Sequence, residues 1–405
     1  MSGKHKTIRS ARSSAASRTA LRIGYVPLID AAPLIVAHRL GFFSEEGIDV
    51  ELERQIGWGN VRDKLTFGRL DAAHALSGMP LFSQLGRDWF AEPLVAVMNL
   101  GSGGNAITLS RRLIELGVTS ASVLAEFIRR DPRSEALSFA HVFSCSMHHY
   151  LLREWLSAAG MDPDRDVRLR IFPPGQMSRA MAERHLDGFC VGEPWNTLAE
   201  RSGAGRIVAV TADIIPNHPE KALVVSRRWA AQHAAVLPRL ISAVLRACAF
   251  CEAPENMHRI AQILASNDPL ETPCEIIDAS LQLELRFAER TLPGIRGGWR
   301  LRSFSPRTTF PSATHSLWML RQMRRWGHLT AELDDHAIAA RCVDTAAYRT
   351  AAEALDIALP ADDVPPMPLR GGLFDPGRNP DSESAPQDVS QNNLRQGSSL
   401  QRGAI

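Results

Sequence analysis

Lysine is scarce in this chain. Lys and Arg together number 46, yet lysine stands at only four positions: Lys4, Lys6, Lys64 and Lys221. Arginine occupies the other cationic positions, so a lysine that persists is a candidate for a specific role. A compact ammonium suits a small pocket into which a forked guanidinium does not fit.

A charge excess and long apolar runs are also missing. The 46 Lys and Arg oppose 44 Asp and Glu, for a net charge of +2, whereas a dedicated nucleic-acid binder needs a concentrated basic face. No stretch approaches the roughly 18 consecutive apolar residues of a transmembrane helix. The 405 residues, 45% of them hydrophobic, suffice for real cores in more than one domain. We therefore expect direct contact with neither nucleic acid nor membrane.

The N-terminus lacks the pattern of an export signal. A secretory signal carries an apolar run of roughly 7–15 residues after its basic start. Only Thr19, Ala20 and Leu21 separate Arg18 from Arg22, and no twin-arginine pair occurs in this segment. We expect residues 1–20 to be a disordered basic leader and the protein to be cytoplasmic.

The six cysteines are scattered and lack the density of a secreted disulfide scaffold. Cys248 and Cys251 have the spacing of a redox or metal motif, but they end a helical apolar pattern. In such a pattern, cysteines act as small core residues.

Strands and helices alternate from residue 21 to residue 225, which indicates an α/β fold. A strand at residues 21–26, a helix at 31–40 and a strand at 49–52 form a βαβ unit with parallel strands. Further helices are expected at 63–68 and 148–159. Further strands are expected at 72–76, 93–99, 137–143, 167–172, 188–192 and, as the last one, 222–225.

The strands fall into two blocks, which predicts two lobes with a ligand cleft between them. Lobe I comprises residues 21–106 and a largely helical return at 228–356, and lobe II comprises 107–227. Residues 357–405, rich in Pro, Ser, Gln and Asn, are expected to be largely disordered. Ligands of open α/β sheets lie outside the carboxyl ends of the strands.

Five segments beside these strands carry candidate binding groups. They contribute an aromatic wall, an amide, an imidazole and an ammonium, which suit a small anion better than a reaction. Each also has a plain structural explanation: a core aromatic, a turn residue, a helix-entry histidine or a surface charge. No Ser-His-Asp order, phosphate loop, dinucleotide fingerprint or cluster of metal ligands is evident, so we expect no enzyme, no cofactor and no metal. The candidates are Trp58, Asn105, His148 or His149, Gly192 with Glu193, and Lys221.

From about Leu21 to Pro376 the sequence resembles the nitrate/bicarbonate solute-binding proteins of the NrtA/CmpA group. The most specific similarities are the strings Cys-Val-Gly-Glu-Pro-Trp-Asn and Asn-His-Pro-Glu-Lys. The motifs that carry the resemblance are Trp58-x-x-x-Arg62-Asp63-Lys64-Leu65, His74-x-Leu76-Ser77-x-Met79-Pro80, Asn105-Ala106-Ile107, residues 143–160, residues 187–196 and residues 217–221.

The resemblance implies a periplasmic-binding-protein-like (type II) fold that closes over one anion. In the nitrate members a tryptophan, an amide, a histidine and a lysine hold the ligand, and these fall on Trp58, Asn105, His148 and Lys221. Bicarbonate relatives have an acidic residue at the lysine position and bind calcium, so Lys221 favours nitrate or nitrite without a metal. Two features depart from the family. Asn105 replaces the usual glutamine, and the stretch 145–147 replaces a glycine-rich approach to the histidine.

The expected absence of an export signal makes the chain similar to the cytoplasmic NasS-type nitrate/nitrite sensors. Those proteins sequester an RNA-binding antiterminator of the NasT (ANTAR) type and release it when nitrate or nitrite binds, which permits expression of nitrate-assimilation genes. One alternative is the substrate-binding component of a nitrate transporter. A second is a pyrimidine-precursor synthase of thiamine biosynthesis, although its CCCFC-type motif is absent.

Overall fold

The computed structural model describes residues 20–87, 92–131, 135–267, 269–283, 302–360, 367–369 and 372–376. Strands and helices are numbered along the chain. The strands are β1 (Leu21–Tyr25), β2 (Val50–Arg54), β3 (Ala72–Leu76), β4 (Leu94–Asn99), β5 (Ser102–Gly103), β6 (Asn105–Ser110), β7 (Ser138–His141), β8 (Arg168–Ile171), β9 (Gly188–Gly192), β10 (Gly205–Val210), β11 (Lys221–Ser226), β12 (Arg302–Ser303), β13 (Met367–Leu369) and β14 (Gly372–Phe374).

The helices alternate with strands in the first half and dominate the second half of the described chain. They are α1 (Ala32–Arg39), α2 (Phe42–Glu45), α3 (Trp58–Thr66), α4 (Met79–Gln84), α5 (Arg111–Glu115), α6 (Ala121–Arg130), α7 (Met147–Ser157), α8 (Pro174–Ala182), α9 (Trp195–Arg201), α10 (Arg227–Gln232), α11 (Leu237–Glu252), α12 (Met257–Ala265), α13 (Cys274–Leu281), α14 (Pro306–Thr309), α15 (Ala313–Arg325), α16 (Asp335–Arg341) and α17 (Ala346–Ala354).

Lobe I is built on a five-stranded sheet in the order β2-β1-β3-β11-β4. The strands β1, β2 and β3 are parallel, as the predicted βαβ unit requires, and β11 is antiparallel to both β3 and β4. The strands β3, β4 and β11 are buried along their whole length, because helices cover both faces of this sheet.

Lobe II is built on a second five-stranded sheet in the order β10-β6-β9-β7-β8. Here β7, β8 and β9 are parallel, and β6 runs antiparallel to β9 and β10. Two sheets of mixed direction in one chain confirm the predicted α/β class with two lobes.

The chain crosses between the two sheets twice, and the two crossings touch. The outward crossing at residues 100–104 and the return at 211–220 are joined by a β-bridge between Ser102 and Pro219. The amide of Gly103 also donates to the carbonyl of His218 at 3.0 Å. These two connecting segments, residues 100–104 and 211–220, are called the hinge below, and the ends of β4, β6 and β11 meet beside them.

The helix α15 packs against lobe II although it follows the last strand of the lobe I sheet. Trp318 of this helix lies edge-on to Tyr150 of α7 with ring centroids 6.4 Å apart. Arg325 pairs with Glu154 of α7. The helical return of the chain therefore braces both lobes.

Several expectations differ from the observed elements. The strand that begins at Lys221 pairs within the first sheet, whereas the predicted boundaries placed it in lobe II. Pairing partners far apart in sequence decide this membership, and a local pattern does not reveal them. The helix expected at 63–68 begins five residues earlier, at Trp58. The strands β6 and β10 were not predicted, and β11 is not the last strand, because β12, β13 and β14 follow.

The two termini lie mostly outside the described residues. The expected basic leader falls there except for its last residue, as does most of the expected disordered tail. Within that tail, however, β13 and β14 form an antiparallel hairpin, and Met367 and Phe374 are buried against the main core. Cys248 is buried within α11, as its helical pattern predicted.

Candidate anion-binding site

Four of the predicted residues gather beside the hinge, and each stands at the end of an element. Lys221 begins β11 and Asn105 begins β6, so the two crossings deliver them to one place. Trp58 begins α3 in lobe I, and His148 is the second residue of α7 in lobe II. All four are at most 2% exposed, so the cleft is closed around them.

The Lys221 ammonium lies between two carboxylates. Its Nζ donates to Asp30 Oδ2 at 2.8 Å and to Glu220 Oε1 at 2.7 Å, and it lies 5.4 Å from the centroid of the Trp58 ring. Burial alone would lower the pKa of Lys221, but the two carboxylates outweigh it, and the pKa is raised. The lysine is therefore charged.

Asp30 is the permanent counter-ion of this lysine. Its Oδ1 lies 2.8 Å from Nε2 of His74. The amide of Val26 donates to Nδ1 of the same ring at 3.4 Å, so Nε2 carries the proton and donates to the carboxylate. Burial would raise the pKa of Asp30, but Lys221 and His74 outweigh it and hold that pKa well below its usual range.

Glu220 is the second carboxylate, and it touches residues from both lobes. Oε1 binds Lys221 and lies 3.3 Å from His148 Nδ1, while Oε2 accepts from Asn105 Nδ2 at 2.5 Å. Oε2 also lies 3.5 Å from His218 Nδ1. Burial raises the pKa of Glu220 despite the neighbouring ammonium. The cluster therefore holds two acids around a single permanent cation.

Several buried polar atoms of the cluster make no hydrogen bond to any described residue. They are Nε1 of Trp58, Oδ1 of Asn105 and both ring nitrogens of His148. Burial lowers the pKa of His148 well below its ordinary value, so this ring is neutral and carries one N–H. Buried polar groups without partners are uncommon in folded proteins. The Trp58 indole N–H and the one N–H of the neutral His148 ring are donors that an acceptor oxygen would satisfy.

Gly192 and Glu193 close the cleft from lobe II. A Cβ on Gly192 would lie 3.2 Å from a methyl of Leu28 and 3.3 Å from Asn105 Oδ1, so the position requires a small residue. The carbonyl of Glu193 accepts from the amide of Ile29 at 2.8 Å, across the cleft. The Glu193 side chain caps α9 by accepting from the amide of Thr197 at 3.2 Å.

The neighbouring histidine faces elsewhere. His149 stacks on His141 with ring centroids 4.3 Å apart, and its Nε2 accepts from Arg153 Nε at 2.8 Å. Of the two histidines that the sequence left open, the structure brings His148 to the cluster.

The sequence did not single out Asp30 or Glu220. Glu220 adjoins Lys221, and neighbouring charges of opposite sign usually belong to a solvated turn. Asp30 follows the apolar stretch Val26–Ile29, and a carboxylate after a buried strand was the one available signal. The described residues contain no group of three or more His, Cys, Asp or Glu that could hold a metal ion. None of the helices in the described ranges is long and apolar enough to cross a bilayer.

Comparison with known proteins agrees with the fold and with part of the resemblance. The NMT1-like family matches residues 14–265. The nitrate/nitrite binding protein NrtA of Synechocystis is 32% identical over 370 residues, which cover 87% of this chain and 80% of that protein. The bicarbonate transport ATP-binding protein CmpC of Synechocystis is 35% identical over 360 residues, 86% of this chain but 53% of CmpC. The chain thus spans about half the length of several transport proteins that it matches.

Solved structures also show similarity to a nitrate-binding protein. The periplasmic nitrate-binding protein NrtA from Synechocystis superposes with a TM-score of 0.77 at 30% identity, covering 89% of this chain and 96% of that one. A ligand-binding component of an import system from Staphylococcus aureus superposes with a TM-score of 0.65 at 18% identity, which shows the shared fold alone. The predicted periplasmic-binding-protein-like fold is confirmed.

Proposed function

This chain belongs to the NMT1-like family and to its NrtA-related group, and on that premise we propose that it binds nitrate or nitrite. The observation that carries the proposal is the buried Lys221 ammonium, which lies at the junction of the lobes beside the Trp58 indole and the His148 imidazole, whose N–H groups make no hydrogen bond to any residue that the structure describes. Nitrate is a planar, weakly hydrated monoanion. Such a ligand needs one cation and a few donors in a dry slot.

The free energy of binding requires contributions from several groups. Micromolar affinity corresponds to about 8 kcal/mol. One ammonium about 4 Å from the anion contributes roughly 4 kcal/mol before desolvation, at an effective dielectric constant near 20. The indole N–H of Trp58, the imidazole N–H of His148 and the closure of the lobes supply the rest.

Calorimetric titration tests this proposal. We expect nitrate or nitrite to bind, and bicarbonate and sulfate to bind far more weakly. Lys221→Ala should abolish binding, whereas Lys64→Ala should leave it unchanged, because Lys64 pairs with Glu53 on the partly exposed side of α3. Circular dichroism would establish that both variants are folded. Unchanged nitrate affinity in the folded Lys221→Ala protein would refute the site.

We further propose that the protein is a cytoplasmic sensor of the NasS type. In this role it sequesters a NasT-type RNA-binding antiterminator and releases it when nitrate or nitrite binds. The buried anion cluster between the two lobes supports a ligand-sensing role, because closure over an anion would give a partner protein two states to discriminate. Copurification with a small RNA-binding regulator, lost on addition of nitrate, is the expected result.

A second candidate is the substrate-binding component of a nitrate transporter. It is favoured by the relatives, which include the nitrate import ATP-binding protein NrtC, 33% identical over 323 residues. Deletion of the gene separates the two roles. A transport component predicts lost nitrate uptake with normal induction of assimilation genes, and a sensor predicts altered induction with normal uptake. Fractionation of the cell tests the cytoplasmic location directly.

A further inference from the structure

The Glu220 carboxylate contacts three of the four groups proposed to hold the anion. It accepts from Lys221 Nζ at 2.7 Å and from Asn105 Nδ2 at 2.5 Å, and it lies 3.3 Å from His148 Nδ1. A carboxylate and a nitrate ion are both planar oxyanions of similar size. Two of these donors, Lys221 Nζ and Asn105 Nδ2, thus already bind an internal oxyanion, and the His148 ring lies beside it.

We propose that Glu220 is an internal competitor, whose carboxylate occupies the oxyanion position and must leave it, or lose its charge, before nitrate or nitrite binds. This inference rests on the proposed function and adds a residue that determines affinity and its pH dependence. Glu220 does not serve as a ligand of the anion. It opposes the anion.

The charges around the carboxylate support this assignment. Glu220 is 1% exposed, and within the described ranges Lys221 is the one permanent cation that contacts it. Because Asp30 keeps its charge and also contacts Lys221, an ionised Glu220 leaves the cluster with an excess negative charge. A further monoanion would meet like-charge repulsion in a poorly solvated site. The titratable and charged groups that face Glu220 are the adjacent Lys221 at the start of β11, Asp30 after β1, His148 on α7, His218 in the same crossing and Cys190 on β9.

A proton on Glu220 removes the repulsion. Burial raises the pKa of this side chain, so protonation becomes accessible closer to neutrality than for an ordinary glutamate. The protonated form competes weakly and the ionised form strongly, so nitrate affinity should rise as the pH falls. His148 could also take up a proton when an anion binds, and a variant of Glu220 separates the two sources.

The experiment is calorimetric titration of nitrate into the full chain at pH 6, 7 and 8. Each titration is run in two buffers of different ionisation enthalpy, which gives the number of protons taken up per nitrate. The wild-type protein should take up close to one proton and lose up to roughly tenfold in affinity per pH unit. Glu220→Gln keeps the shape without the charge. It should bind at least tenfold more tightly at pH 8, with a flat pH profile and little proton uptake.

Two further variants complete the design. Glu220→Asp keeps the charge and should retain the pH dependence, and it serves if Glu220→Gln folds poorly. Glu53→Gln removes a carboxylate that pairs with Lys64 and should behave as the wild type. If the wild-type protein binds nitrate and Glu220→Gln binds equally or more weakly with the same pH slope, the inference is wrong and Glu220 merely positions Lys221. If none of the folded proteins binds nitrate or nitrite at any pH, the proposed function itself is wrong.

Discussion

Removing the Lys221 ammonium should destabilise the protein strongly, and the structure sets the size of the effect. Two ion pairs of 2.8 and 2.7 Å end on one buried nitrogen. Each amounts to about 6 kcal/mol before desolvation at an effective dielectric constant near 20. Most of this offsets the cost of burying the charges, and breaking a buried pair from one side costs about 3–5 kcal/mol net. We expect Lys221→Met to lose that much free energy of unfolding at pH 7–8.

The pH dependence of this loss has a definite sign. In the wild-type protein the lowered pKa of Asp30 contributes stability that is present above its unfolded pKa of about 3.9 and disappears as the pH falls through the folded pKa. Without the ammonium, we expect burial to raise the folded pKa values of Asp30 and Glu220 above their unfolded values. Stability of the variant then increases as the pH falls towards those pKa values. The deficit at pH 5 should therefore be smaller than the deficit at pH 8.

Urea unfolding followed by circular dichroism at pH 5 and pH 8 measures both quantities. The chain offers a matched control in Lys64→Met, which breaks the Lys64–Glu53 pair of 2.9 Å. The Lys64 side chain is 39% exposed, and exposed pairs contribute at most about 1 kcal/mol. Equal losses in the two variants, or a Lys221→Met deficit that does not change with pH, would refute the account of the cluster.

Three further substitutions test lobe closure, an anion-binding donor and, as a control, a buried hydrogen bond in a separate core cluster. Gly78→Ala would place a Cβ 2.1 Å from the carbonyl oxygen of Cys145 in lobe II, so the lobes should no longer close fully, and calorimetry should show weaker anion binding with little loss of secondary structure. Trp58→Phe removes an indole N–H that has no partner among the described residues and should reduce nitrate affinity about five- to tenfold, measured in the same way; because Trp58 packs in the main core, the melting temperature should fall as well. Tyr348→Phe removes a buried hydroxyl that lies 2.8 Å from Thr309 Oγ1; it should cost about 1 kcal/mol in urea unfolding and leave anion affinity unchanged.

Part of the site could be predicted from the sequence because its residues stand at the ends of strands and helices. Trp58, Asn105, His148 and Lys221 each follow or begin a strand or helix, and the structure brings the four together. The role of Glu220 could not be predicted from the sequence. That role arises from a contact with Asn105, which is 115 positions away, and from the burial of Lys221, which no local pattern reveals.

The fold shows the same difference between local patterns, which the sequence reveals, and pairings distant in sequence, which it does not. The strands at residues 72–76 and 188–192 coincide with β3 and β9, because continuous small or apolar runs bounded by turns mark buried strands. The strands β6 and β10 include polar or charged residues that broke the pattern, and each is stabilised by pairing with the other. The sheet to which β11 belongs depends on the return crossing, which is a property of the whole chain.

Because the candidate site lies beside the hinge, we expect Glu220 to affect lobe closure as well as nitrate affinity. Its carboxylate joins Lys221 of the first sheet to Asn105 of the second, so the closed arrangement holds together with no external anion. A ligand shifts a conformational equilibrium only by its differential affinity for the two states. An internal carboxylate that already stabilises closure reduces that difference, and a neutral Glu220 restores it. The Glu220→Gln protein should therefore be more open without nitrate than the wild-type protein and should contract more on binding, as measured by small-angle X-ray scattering.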